Sequence, residues 1–134
     1  MEYPIDSPEF NKAFIINHFE EFVNKKNSNI AFTNFSEDFL DHDEAMGPAI
    51  GPLAAKEMME GAYKVFPDLH VVIEDILAEG DKVMVRNIWT GTKGDGIRIQ
   101  FKGFVLWKLK AGKIVERWAT LSSFYPLLEE KAAW

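Results

Sequence analysis

His42 stands between Asp41 and Asp43, and this triplet is the chain's best acid–base signal. A carboxylate beside an imidazole raises its pKa and fixes its tautomer, which is what a general base needs. The plainer reading is an exposed histidine in an acidic loop. Glu116 and Arg86 are charged residues set in otherwise apolar runs. Burying either one alone is costly, so each needs a partner or water. They could pair with each other if their strands share a face, form a scaffold salt bridge, sit as charges at a dimer rim, or anchor a ligand in a cavity. His42 and Glu116 are therefore the catalytic candidates, with Arg86 as a ligand anchor.

His18 falls on or beside an aromatic stripe in a helical stretch, so it either points into a cavity or is a hydrogen-bonded core residue. Ser122 has no base near it in sequence and is not a nucleophile on its own. It can hydrogen-bond a ligand carbonyl, or serve as an ordinary strand residue. Trp89, Trp107, Trp118 and Phe104, together with Phe101, offer rigid surfaces to a flat ligand or simply fill core and interface. His70 opens a strand and reads as a surface residue, and the terminal Trp134 has no readable role. Adjacent residues rarely converge on one ion, so Asp41-His42-Asp43 does not read as a metal site. No cofactor is expected.

The elements that must position these residues follow from period and punctuation. Ser7 can cap a helix that begins at Pro8, with Glu9 well placed in its first turn. Phe10, Phe14, His18 or Phe19, Phe22 and Val23 recur at helical spacing, while Asn11, Lys12, Glu20, Glu21 and Lys25 occupy the other side. A short helix is weakly signalled over 29–34, and an extended segment near His42 leads into a loop at Gly47-Pro48. Pro52 opens a helix whose stripe is Ala55, Met58, Met59, Ala62 and Phe66, and Pro67 stops it.

The second half changes period. Segments 69–78, 82–92, 97–110 and 113–124 are rich in Val, Ile, Trp and Phe, and Gly80, Asp95-Gly96 and Gly112 mark the turns. Turns this short force antiparallel neighbours, so the four strands form a meander, with a last helix over 126–132. Helices followed by an antiparallel sheet give an α+β architecture, in which a curled sheet wraps the helices as a cone. Met84 and Ile88, with Phe104 and Leu106, put apolar residues on the second face of the sheet. A face covered by nothing else calls for a second subunit, most simply in a two-fold homodimer.

Composition bounds the rest. One domain spanning residues 1–134 is expected, with a core and a modest cavity. The absence of cysteine excludes a disulfide framework, a thiolate metal site and a Cys nucleophile. A net charge of −6 with no basic cluster argues against nucleic acid or an anionic membrane as partner. No secretory signal or spanning segment is visible, so a cytoplasmic protein is expected, and Asn34-Phe35-Ser36 reads as a chance glycosylation pattern.

Pro67-Asp68, then Val83 and Arg86, then Thr90-Gly91-Thr92, then Gly112-Lys113-Ile114-Val115-Glu116 with Trp118 form an ordered set. From about Phe10 to Leu128 the chain thereby resembles the SnoaL-like polyketide (ester) cyclases of the nuclear-transport-factor-2-like superfamily, which also holds ketosteroid isomerases and scytalone dehydratase. The resemblance implies a cone-shaped α+β barrel, dimeric, with a deep apolar pocket. It implies an aspartate that closes a ring by intramolecular aldol chemistry, removing a carbon-bound proton and returning it to the new alkoxide. That aspartate falls at Ser122, and a family histidine falls at Lys93. Phe104 and Val105 stand where polar residues often occur. Two readings follow: a proton-transfer enzyme acting on a small hydrophobic, polyketide-like or other carbonyl compound, or a binding or accessory protein that keeps the pocket without the acid.

Overall fold

The structure, a computed structural model, describes residues 3–42 and 49–122, with the backbone of Tyr125 and Pro126. Asp43, the Gly47-Pro48 loop, most of the expected last helix and Trp134 lie outside the described residues.

Ser7 does cap the first helix. Its hydroxyl accepts the Phe10 N–H at 3.1 Å, and Pro8 opens α1 (Pro8–Phe19) where its missing N–H costs nothing. The helix then widens into a π turn over Glu20–Asn24, closed by Lys25 N–H to the Glu20 carbonyl at 2.8 Å. The extra residue in that turn brings His18, Phe19, Phe22 and Val23 all to the buried side. Asn11, expected on the solvent side, is instead fully buried, with no hydrogen-bond partner for its amide among the described residues. Helical spacing explains the error: Asn11, Ile15 and His18 lie on one face, which is the face that packs inward.

The expected short helix divides into a 3₁₀ turn over Ser28–Ile30 and α2 (Ala31–Asn34). The extended segment after it is a full strand, β1 (Phe35–Asp41), followed by the short β2 (Ala49–Ile50). The third helix, α3 (Gly51–Val65), carries Pro52 in its first turn and ends before Pro67. Four long strands then follow: β3 (His70–Glu79), β4 (Lys82–Thr92), β5 (Arg98–Lys110) and β6 (Lys113–Leu121). The last described strand, β7 (Tyr125–Pro126), pairs with β5.

The meander is present, and it is extended by a pairing that short turns could not reveal. The order is β2-β1-β6-β5-β4-β3, with β1 parallel to β6, so the curved, unclosed sheet is mixed rather than purely antiparallel. At the β5–β6 turn both Ala111 (φ +53°) and Gly112 (φ +77°) take the left-handed conformation that a tight right-twisted hairpin demands.

Inside the curve lies the core. Val83, Val85 and Trp89 of β4 meet Val105, Trp107 and Leu109 of β5, all buried, with Ile15, Phe19 and Phe22 of the N-terminal helix against them. A bulge sets the last strand: Leu109 pairs with Ile114 but Lys108 pairs with Glu116, so Val115 is the extra residue. Ile114 and Arg117 consequently share the inner face, while Glu116 and Trp118 share the outer one. Gly103 is needed at the far end, because a Cβ there would lie 2.1 Å from Leu121 Cδ2. Met84 and Phe104 on the outer face remain exposed in the single chain.

Candidate functional site

A cavity of about 40 Å³ lies between the inner sheet face, the π turn and α3. Phe19, Phe22, Phe35, Met58, Met59 and Trp89 give it apolar walls, and four polar side chains join them: His18, Asp41, Trp107 and Arg117. Ligand pockets commonly measure about 300–1,000 Å³. The space here admits a water or the oxygen end of a ligand, so among the described residues this cavity is not the deep pocket implied by the resemblance.

Asp41 and Arg117 face each other as the Cα partners of the parallel β1–β6 ladder. Arg117 Nη1 donates to Asp41 Oδ1 at 3.0 Å and to Oδ2 at 3.2 Å, and the carboxylate side chain is only 2% exposed. The guanidinium also lies 5.6 Å from the centre of the Trp107 ring. A buried pair of this kind holds both groups in one geometry, since neither can leave without stranding the other's charge.

His18 is held still and neutral. Its ring stacks on Phe22 at 4.9 Å and meets the edges of Phe35 at 5.1 Å and Trp107 at 5.5 Å. Burial, and secondarily the Arg117 charge, push its pKa down to about 3. Asn34 Nδ2 donates to His18 Nδ1 at 2.9 Å, so the ring proton belongs on Nε2. Neither that Nε2 nor Trp107 Nε1 has an acceptor among the described residues. Two buried N–H donors of cavity-lining residues thus lack partners among the described residues, an arrangement that costs stability unless an oxygen arrives. Trp89, by contrast, spends its N–H on Asn87 Oδ1 at 3.1 Å.

The remaining candidates lie elsewhere. His42 and Glu116 do meet, with His42 Nε2 and Glu116 Oε2 2.8 Å apart, and the imidazole stacks on Trp118 at 4.8 Å. Lys108 Nζ lies 3.8 Å from the same glutamate. This cluster is on the outer face, since Glu116 and Trp118 alternate with Arg117 along β6, and none of its members lines the cavity. Arg86 does not pair with Glu116: its Nη2 is 2.6 Å from Asp75 Oδ2 on the neighbouring strand, in the open. Phe104 is 53% exposed on that outer face. Ser122 is turned to the backbone, its hydroxyl accepting the Lys102 N–H at 2.9 Å. Lys93 is exposed beside Asp95 in the β4–β5 turn.

The sequence offers Asp41 only as a neighbour that tunes His42, and offers no site role for Arg117 or Asn34. Asp41 had a signal, because Phe39 two residues earlier is core and strand parity sends both inward. Arg117 had none, since the Val115 bulge decides its face.

The family model described as SnoaL-like polyketide cyclase matches residues 13–123. Among solved structures, the chain is similar to AclR, named a "putative hydroxylase", from Streptomyces galilaeus. That match has 25% identity and a TM-score of 0.75, and covers 87% of this chain and 91% of that one. A "putative polyketide cyclase" from Bacillus cereus is 28% identical at TM-score 0.74, covering 84% and 74%. A "putative SnoaL-like polyketide cyclase" from Jannaschia shares the fold at TM-score 0.79 and 18% identity, with 90% of each chain covered. No protein of curated function matches the chain. Among the described residues no helix is long and apolar enough to cross a membrane, and no group of three His, Asp or Glu is placed to hold a metal ion.

Proposed function

The chain belongs to the SnoaL-like polyketide cyclase family, and on that premise we propose that its cavity receives the carbonyl oxygen of a small hydrophobic molecule and moves a proton beside it. The observation that carries this reading is that His18 and Trp107, whose Nε2 and Nε1 have no acceptor among the described residues, line the same cavity as Asp41. Donors fixed before the substrate arrives need no rearrangement when negative charge develops on that oxygen.

The step balances without a cofactor. An Asp41 oxygen takes a proton from the carbon next to the carbonyl, and the C–H electron pair moves into a new C=C bond. The carbonyl becomes an enolate oxygen, bonded by His18 and Trp107. The enolate carbon then attacks a second carbonyl of the same molecule, and the resulting alkoxide takes its proton back from Asp41. His18 takes no part as base, because its neutral ring presents a donor rather than a lone pair to the cavity. A whole ligand needs more room than this cavity gives, and Met58 and Met59 of α3, unbranched and adaptable, are the wall residues suited to yield it.

The test is proton exchange into 2-tetralone, a flat ketone with an acidic benzylic C–H, followed by NMR in D₂O. Exchange faster than background, lost in Asp41→Asn and reduced in Trp107→Phe, supports the reading. Background-rate exchange in the parent protein sinks it. A second reading, ligand binding without catalysis, is favoured by Ser122, whose hydroxyl is engaged with the backbone where the resemblance implies an aspartate. A rise in melting temperature with 2-tetralone and no exchange selects that alternative.

The homodimer belongs to the same proposal. Met84 and Phe104, exposed on the outer face, with Leu106 partly buried beside them, supply its apolar surface. Analytical ultracentrifugation decides, and a monomer at micromolar concentration removes it.

A further inference from the structure

We infer that Asn34 is a positioning residue for this site, turning His18 into a fixed hydrogen-bond donor by dictating which ring nitrogen carries the proton. The inference rests on the carbonyl-binding reading above but names a residue outside the cavity lining. Asn34 closes α2 and is 5% exposed, and its Nδ2 lies 2.9 Å from His18 Nδ1. An amide nitrogen only donates, so Nδ1 must accept and the neutral ring must carry its hydrogen at Nε2. Phe22 stacked on one side and the Phe35 and Trp107 rings set across it hold the ring against turning over, which would put Cδ2 rather than Nδ1 against Asn34.

The alternative tautomer would reverse the chemistry. With hydrogen on Nδ1, Nε2 would offer a lone pair to an incoming oxygen, repelling a carbonyl and the enolate formed from it. The Trp107 N–H would then act alone. Asn34 therefore decides whether the cavity presents two donors or one donor and one acceptor. It does so from α2, through a bond hidden from the ligand.

Long-range ¹H–¹⁵N correlation spectra of the histidine rings test this directly. In the unaltered chain at pH 7, His18 is expected to show a bare Nδ1 and a protonated Nε2. Asn34→Asp replaces the donor with an acceptor, so a proton is expected at Nδ1; where the ring stays neutral Nε2 is bare, and 2-tetralone exchange is expected to fall by roughly a hundredfold, the scale of losing one oxyanion donor. Asn34→Gln keeps a donating amide and is expected to retain the Nε2–H signature. A proton on Nδ1 in the parent protein overturns the assignment, as does an Asn34→Asp protein in which Nδ1 stays bare. Should Asn34→Asp fail to fold, the parent spectrum still decides. A parent protein with the Nε2–H signature but no exchange removes the proposed reaction and leaves the role of Asn34 standing.

Discussion

Asp41 and His42 are neighbours in the chain and leave β1 on opposite faces of the sheet. The Asp41 carboxylate takes a hydrogen bond from Arg117 Nη1 at 3.0 Å inside the cavity, while His42 Nε2 lies 2.8 Å from Glu116 on the outer face. Strand pleating alone separates them. One interior ion pair and one exterior pair are thus built from the same two strands, one residue out of step.

Removing the interior pair's carboxylate has two separable effects. Asp41→Asn strands the Arg117 guanidinium, whose side chain is 13% exposed, and is expected to cost about 3 kcal/mol in urea unfolding. The double variant Asp41→Asn with Arg117→Met removes the stranded charge and is expected to recover most of that stability, with proton exchange still absent. Recovery of exchange in the double variant would contradict the role given to Asp41.

The exterior pair is expected to behave differently. His42 and Glu116 are about a third exposed, so His42→Gln is expected to cost less than about 1 kcal/mol. Exchange rates should match the parent protein within error, since neither residue lines the cavity. A loss of exchange in His42→Gln with stability intact would return the acid–base role to this histidine.

These contrasts also mark what the sequence could reveal. Ser7-Pro8, Gly80 and Gly112 announce their cap and turns because each satisfies a local rule about hydrogen bonds or φ. Strand alternation placed Val83, Val85 and Trp89 together, as found. Nothing local announces the β1–β6 ladder, whose partners Asp41 and Arg117 are far apart in the chain. The π turn and the Val115 bulge each insert one residue against the regular period, and that shift decides which side chains face inward. His18 and Trp107 were therefore legible as candidates, while their donor role depends on Asn34, a contact between elements.

Acid stability should report on His18. Its folded pKa, about 3, lies below the unfolded 6.5, so the unfolded chain binds the extra proton across that range. Stability contributed by keeping the ring neutral is complete above pH 6.5 and is lost as pH falls towards 3, at about 1.4 kcal/mol per unit. At pH 5 this single group removes about 2 kcal/mol. His18→Phe should flatten the difference between pH 7 and pH 5 by that amount in urea unfolding. An unchanged slope would show that His18 is protonated within the folded protein.

Two glycines separate packing from propensity. A Cβ at Gly103 would meet the Thr120 carbonyl oxygen at 2.6 Å as well as the Leu121 side chain, so β5 and β6 must part. Gly103→Ala is expected to cost about 1–3 kcal/mol, the range for overpacking. It should also loosen the adjacent Ser122–Lys102 hydrogen bonds, which the Lys102 amide reports by faster hydrogen exchange. Gly61 lies in α3, is exposed, and has nothing within 4 Å of where a Cβ would stand. Gly61→Ala is therefore expected to add up to about 1 kcal/mol through helix propensity alone. Equal effects at the two sites would mean that the β5–β6 junction is not packed as described, because only Gly103 has backbone in the way.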